Sequence, residues 1–380
     1  MTDPSPGSLQ DQVTILNSVA ASLGAMVREK VPKFWILGTN GALLAIGEKL
    51  FVTKSVGEIM FDGYHDPLFD ALDEMPWIKK FLPPGSTPEK FGFFYQRNGS
   101  DVVDGTFNMY TGLGDVGRMG EVFSWNSSPK GIFPGRCGEV HGSAGEFYPP
   151  GMPKTHIDMF SNDLCRTIRL NYQREVDVLG INSYEFTADH SFFANGTENP
   201  ANSCYEPEGE SLRSGVYNTS LCRFGAPVFI SQPHFLQADP WYLDQISGLQ
   251  PDPSLHGTAF RIEPNSGVPT SVTARFQLNV RLEAVKGITM LESVPTVFFP
   301  VMWFENKAGV PANLVSKMSL LASLPTILAS MGWAEVGLAF SLAIITVLCL
   351  LSRGRQEDTS PILNVEEQGD EEVFVQKDED

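Results

Sequence analysis

An apolar run from Gly332 to Leu351 carries one charge, Glu335, in about twenty positions. As a helix it reaches across the roughly 30 Å hydrocarbon layer of a bilayer, and few other folds can use a stretch of this kind. The neighbouring segment 318–331 is also uncharged, but Pro325 interrupts it and about 14 residues are too few for a second span. It reads as membrane-proximal, with the span at 332–352. Arg353 and Arg355 follow at once, whereas the nearest base on the other side is Lys317. The excess of bases on one flank places the tail, 353–380, in the cytosol and residues 1–317 outside the cell or in a lumen.

The chemistry ahead of the span agrees with that orientation. Asn98, Asn126, Asn195 and Asn218 each begin an Asn-x-Ser/Thr glycan acceptor, and four of the five cysteines, Cys137, Cys165, Cys204 and Cys222, lie there too. Four cysteines admit three pairings, and spacing does not choose among them. Cys349 lies within the span, as a small apolar residue or, near the cytosolic edge, as a palmitoylation site. The N-terminus lacks both a basic region and an apolar core of the signal-peptide kind, and the apolar stretch Phe34 to Ile46 is short and contains Asn40. The expectation is a chain that continues upstream of Met1.

The formal charge of −18 argues against nucleic acid, whose phosphates need clustered Lys and Arg. Much of that charge is local, since 353–380 holds 10 acids against 3 bases. Low hydrophobicity with high charge predicts a disordered tail. Within it, Asp358 stands four positions ahead of Ile362-Leu363, the arrangement of an acidic dileucine sorting signal that an endocytic (clathrin) adaptor reads. The 26 Phe residues against 6 Trp and 9 Tyr suit a thick apolar core or an apolar cavity more than a polar catalytic cleft.

Residues 1–70 read as helical. Asp11 is the expected cap of a helix whose apolar positions Val13, Leu16, Val19, Leu23 and Met26 recur at three or four. From about Phe91 the pattern changes to short β-rich runs between Gly, Pro and Asn clusters, over 90–310. In Val272–Val285, apolar Phe276, Leu278, Val280 and Leu282 alternate with polar Gln277, Asn279 and Arg281, which predicts a long strand with one apolar and one wet face. Thr296–Phe304 is apolar on both faces, and Pro300 implies a bulge or an edge position. An antiparallel sheet or barrel fronted by helices follows.

No catalytic constellation accompanies this pattern. Gly112-Leu-Gly-Asp-Val-Gly117 matches the dinucleotide fingerprint in form, but the residues after it read as a strand, so it is expected to be a turn. The six histidines lack metal-ligand spacing and no Gly-x-Ser-x-Gly elbow exists. Neither cofactor nor metal is implied, and a membrane-anchored lumenal enzyme is the least supported reading.

The stretch Leu221-Cys-Arg-Phe-Gly-Ala-Pro-Val-Phe-Ile-Ser-Gln-Pro-His-Phe-Leu-Gln-Ala-Asp-Pro240 closely resembles the signature of the class B scavenger receptors. The likeness extends along nearly the whole chain, through Ser55–Met60 with Gly63–Pro67, Phe193–Thr197, Arg261–Pro264 and Pro300–Phe304. It implies a lumenal antiparallel β-barrel with an apical helical bundle, mostly β with some α, traversed by an apolar tunnel that carries lipid toward the bilayer. Phe276, Leu278, Val280 and Leu282 are expected in the tunnel or the core, and Lys30, Lys33, Glu48 and Lys49 in the ligand-receiving apex. Cys165–Cys222 matches a disulfide common in the family, and Cys137–Cys204 a second found in some members. The function implied is binding of lipids, fatty acids or lipoproteins, with lipid transfer or endocytic uptake. The alternative is a lysosomal or endosomal trafficking receptor for a protein ligand. The family's first span and the first part of its ectodomain have no counterpart here.

Overall fold

Asn17 decides where the first helix begins. Its Oδ1 accepts from the N–H groups of Val19 and Ala20 at 3.0 and 3.1 Å, satisfying donors that a helix N-terminus leaves open. Helix α1 is therefore Ser18–Lys30, and Asp11 is not its cap. Val13 and Leu16 belong instead to strand β1 (Gln12–Leu16), where β-branched Val13, Thr14 and Ile15 favour an extended backbone over the helix their spacing allows. Its partner is β2 (Phe51–Ser55), antiparallel, with Thr14 opposite Thr53. Helix α2 (Lys33–Ile46) ends at Gly47, whose φ of 71° supplies the left-handed cap. Helix α3 (Pro67–Asp73) is capped by Asp66, which accepts from Leu68 N–H at 2.9 Å.

These elements belong to a computed structural model that describes residues 7–75, 78, 80, 81, 88–97, 100, 105–206, 211–223 and 225–357 of the 380. Asn98 and the tail residues Asp358, Ile362 and Leu363 lie outside the described residues. The chain divides into two compact units, 1–322 and 323–380.

In the first unit β3 (Phe107–Met109) pairs with β4 (Val122–Trp125), and the glycine-rich run 112–117 lies in the connection between them. The main sheet is built from β5 (His156–Ser161), β6 (Arg166–Val178), β7 (Ile181–Thr187), β8 (Val216–Asn218), β9 (Val228–Ser231), β10 (Ala259–Glu263), β11 (Val268–Leu282) and β12 (Val297–Gly309). Its order is β5-β6-β7-β10-β11-β9-β8, with β12 on β11, and every named pairing is antiparallel. Among the described residues the ladder runs open and does not close on itself. The antiparallel sheet is present, and its closure into a barrel is not seen among the described residues.

Strand β11 is the spine. One of its edges is taken first by β10 and then by β9, and the other is paired along most of its length by β12. The bulge that Pro300 forecasts is there: Leu278 faces Met302 and Asn279 faces Pro300, so Val301 is the extra residue. The wet face is not there at mid-strand. Gln277 and Asn279 are 1 % and 0 % exposed. The turn Pro233–Phe235 lies against them, and His234 N–H donates to Gln277 Oε1 at 2.8 Å. Gln277 Nε2 donates to Asn279 Oδ1 at 2.9 Å, and Asn279 Nδ2 to Ser231 Oγ at 3.0 Å. These polar groups are buried because they satisfy one another.

Two principal cores result. One lies on the sheet around Ile168, Leu170, Phe186, Phe260 and Ile262. The other joins the helices, with Leu23 and Val27 of α1 packed among Leu68, Leu72, Ile288 and Leu291. Disulfides Cys137–Cys204 and Cys165–Cys222 tie loops around the first, with Cα separations of 5.9 and 6.3 Å.

A helix of 46 residues, Ala312–Glu357, runs into the second unit. It is continuous through Pro325, where an interruption is expected from sequence. An isolated proline removes one hydrogen bond and bends an apolar helix without ending it. At 1.5 Å per residue the helix is about 69 Å long, ample for the roughly 30 Å hydrocarbon layer. Its stretch Ala312–Arg353 is long and apolar enough to cross a membrane.

Candidate functional site

Along one side of α1, Ser18, Ser22, Met26 and Lys30 repeat at four, with Val19 and Leu23 beside them, and all six line a cavity of about 440 Å³. From Ser18 to Lys30 that wall extends about 18 Å. The opposite wall is sheet. Leu278 stands directly across from Ile230 and Val280 from Val228, so the period of two places all four on one face. Phe69 and Leu72 of α3 form a third side, and Phe91, Phe94 and Phe304 a fourth, the last two in edge-to-face contact at 5.7 Å. Cavities of about 300–1,000 Å³ accept small organic ligands. The Ser18 hydroxyl is buried in this wall with no hydrogen-bond partner among the described residues.

The strand residues named from sequence thus divide. Leu278 and Val280 line the cavity, Phe276 packs in the sheet core, and Leu282 is buried with Leu16 and Val297. Alternation puts the four on one face, but the cavity occupies only the middle of it. The apex residues divide as well. Lys30 lines the cavity; Lys33 and Lys49 are exposed and do not. Glu48 follows the α2 cap and is held by Asn17, whose Nδ2 donates to Glu48 Oε1 at 2.7 Å and lies 3.2 Å from Asp66 Oδ2. Burial and the Asp66 carboxylate push the Glu48 carboxyl up to about 7.

Four charged residues that sequence reasoning passed over lie in the cavity wall: Glu29 on α1, and a group of three, Arg97, Asp163 and Arg223. Arg97 Nη1 is 2.9 Å from Asp163 Oδ1, and Arg223 Nη2 is 3.7 Å from the same oxygen while donating to the Asp163 main-chain oxygen at 2.9 Å. Burial and the nearby Arg97 lower the pKa of Arg223, and Asp163 opposes them. A β-carbon on Gly225 would stand 3.7 Å from Lys30 Nζ, so Lys30 belongs to this side of the cavity. The Arg97 and Arg223 side chains are 27 % and 40 % exposed, which shows that this side reaches solvent. One signal was available: Asp163 and Arg223 flank Cys165 and Cys222, the two ends of a disulfide.

The glycan acceptors differ in access. Asn126 is exposed, Asn195 is half-buried with Nδ2 donating to Leu212 O at 2.9 Å, and Asn218 is 8 % exposed.

A disulfide-bonded, β-rich unit with an apolar cavity, in a chain carrying a bilayer-length apolar helix, defines a class of membrane proteins. The sequence profile of the CD36 family matches residues 2–350, and the chain belongs to that family. Protein peste of Drosophila melanogaster is 40 % identical over 320 residues, which cover 83 % of this chain and 56 % of that protein. Scavenger receptor class B member 1 of Cricetulus griseus is 33 % identical over 353 residues, 91 % of this chain and 66 % of that receptor. Human lysosome membrane protein 2 is 27 % identical over 330 residues, 84 % and 66 % of the two chains. The chain spans between about half and two thirds of the length of these relatives.

Proposed function

We propose that this chain acts as a scavenger-type membrane receptor that binds lipids or lipoproteins and passes lipid to the membrane or carries its ligand inward by endocytosis, without covalent chemistry. The observation that carries the reading is the cavity, whose walls are hydrocarbon over most of their area and which α1 lines from Ser18 to Lys30. Relatives named as scavenger receptors support it. In this reading the cavity is a segment of a tunnel through a lumenal barrel, residues 1–317 form the ectodomain, and 332–352 is the span. The tail 353–380 is cytosolic, and the protein works at the plasma membrane or the endosome–lysosome membrane.

The test is direct binding of a fluorescent fatty acid, cholesteryl ester or phospholipid to the full chain in nanodiscs. Leu278→Trp, which places an indole in the cavity, lowers the affinity at least about tenfold while the melting temperature stays within a few degrees. A wild-type chain that binds none of the three lipids defeats the proposal. A second reading, a trafficking receptor for a protein ligand, draws on the likeness to lysosome membrane protein 2 and on Asp358, Ile362 and Leu363 in the tail.

A further inference from the structure

The turn that follows β9 is held in a conformation that side chains resist. Within Gln232–Gln237, His234, Phe235 and Gln237 have φ of 56°, 54° and 61°, in the left-handed region that residues other than glycine seldom occupy. Such a backbone persists only where its surroundings impose it. Phe235 is fixed by burial, its ring stacked on Tyr242 at 5.3 Å. Gln237 is fixed through Gln232, whose Nε2 donates to Gln237 Oε1 at 2.9 Å. His234 is fixed by a second histidine: its ring lies on that of His256, with centroids 4.1 Å apart and planes 20° from parallel. His256 is 5 % exposed and meets the Trp303 ring edge to face at 5.8 Å. Neither histidine lines the cavity.

The bonds to this pair fix its protonation. Gln250 N–H donates to His234 Nδ1 at 3.0 Å, and Asp252 N–H donates to His256 Nδ1 at 2.9 Å. A main-chain N–H bonds only to a free lone pair, so each Nδ1 is bare and each ring is the neutral form with its proton on Nε2. A proton added at Nδ1 sets two donors against each other, and two imidazolium rings at 4.1 Å repel. Burial pushes the His256 pKa down from the ordinary 6.5, His234 and then Arg275 on β11 push it the same way, and Asp252 opposes them. On β12, Glu305 is taken up by Arg275 at 2.6 Å and Lys307 at 2.7 Å. An opened loop titrates near the ordinary value, so closure is fully favoured above about 6.5 and is lost as pH falls below it.

We propose that His234 and His256 form an acid-operated latch: at neutral pH their stack and the two main-chain bonds hold the left-handed turn and the 250–256 loop against β11 and β12, and protonation in an acidified compartment frees both segments. The latch closes over the buried polar network, since His234 N–H donates to Gln277 Oε1 at 2.8 Å and Gln277 joins Asn279 and Ser231. Ile230 and Leu278, the neighbours of Ser231 and Gln277 in sequence, point to the opposite face and wall the cavity, so opening slackens that wall from behind. The latch itself does not depend on what the cavity holds.

The experiment uses the full chain in nanodiscs and reads amide hydrogen exchange from about pH 7.4 down to about pH 5, corrected for the intrinsic effect of pH on exchange. In the wild-type chain, peptides covering 232–237 and 248–257 lose protection about tenfold or more in acid while β6 keeps its own. The midpoint lies below about 6.5. His256→Gln and His234→Gln offer an amide acceptor that cannot take up a proton, and each reduces the loss to about threefold or less. A variant closed at both ends of the range and a variant open at both alike assign the acid step to the pair, because neither retains it. His190→Gln, at an exposed histidine beside Glu198, leaves the step intact. Either latch variant keeping the full loss overturns the proposal. A wild-type chain with equal protection of both segments across the range overturns it too, as does a loss shared equally by β6, which is general unfolding. Glu48 does not supply the step, since its raised carboxyl pKa favours the folded chain in acid.

Discussion

Glu48 links the helical part of the molecule to pH. It meets Asp66, the cap of α3, through Asn17, the cap of α1, so one amide joins two helix starts and the end of α2. With its carboxyl pushed up to about 7 from the ordinary 4.5, the folded chain holds a proton that the unfolded chain has already released. Stability from this group is therefore greatest at acid pH, falls as pH rises from about 4.5 to 7, and stays reduced above that. Glu48→Gln keeps an acceptor for Asn17 and cannot ionise. It is expected to raise the melting temperature by a few degrees at pH 8, corresponding to roughly 1 kcal/mol once solvent screening of a half-exposed group is allowed for. The gain shrinks toward zero near pH 4.5; an equal shift at both pH values refutes the assignment. From sequence, Glu48 was visible only as one of four polar residues in the apex. Its partner Asp66 was not visible, because helix caps are local signals whereas the contact between two caps is made by the fold. Arg97, Asp163 and Arg223 escaped for the same reason.

At the scale of elements, β11 separates what alternation can reveal from what it cannot. The strand, its apolar face and the Pro300 bulge opposite it could be read directly, since a period of two and a proline leave marks on the sequence itself. The burial of the polar face could not. Polar residues at every second position forecast a wet face only if nothing polar covers them, and here Ser231 and the Pro233–Phe235 turn do. The start of α1 was misread in a related way: Val13 and Leu16 fit the helical spacing of Val19 and Leu23, and only pairing with β2 makes them strand. The buried network gives a sharp expectation. Asn279→Ala removes the acceptor 2.9 Å from Gln277 Nε2 and the donor to Ser231 Oγ, leaving Gln277 Nε2 only its longer bond to Ser231 Oγ at 3.3 Å, and destabilises by about 1–3 kcal/mol, a fall of several degrees in a thermal scan. A change below about 0.5 kcal/mol means that water enters and the network is not closed.

For the whole molecule, orientation decides whether the chemistry of the first unit can exist. Two disulfides, each closing a loop of more than fifty residues, persist only in an oxidising compartment. The same compartment attaches glycans, so the disulfides and the acceptors make one joint demand that residues ahead of the span lie outside the cytosol. Arg353 and Arg355 on the far flank make that demand independently. The fold then ranks the described acceptors. Asn126 is exposed, its φ of 50° suiting asparagine, with Oδ1 engaged to Thr106 N–H at 3.0 Å. A glycan on Asn218, 8 % exposed and set in β8 beside β9, would have to leave through packed protein. Expressed in a secreting cell, the wild-type chain is expected to shift in mobility on N-glycosidase treatment. Asn126→Gln removes one step of that shift and Asn218→Gln removes none. Loss of a step at Asn218 contradicts the packing around β8. A chain with no shift at all lies with its first unit in the cytosol, where thiols stay reduced and the Cys165–Cys222 bridge that holds Arg223 in the cavity wall would not form. The disulfides and the glycan pattern therefore stand or fall with the same orientation, although one is read by thiol labelling and the other on a gel.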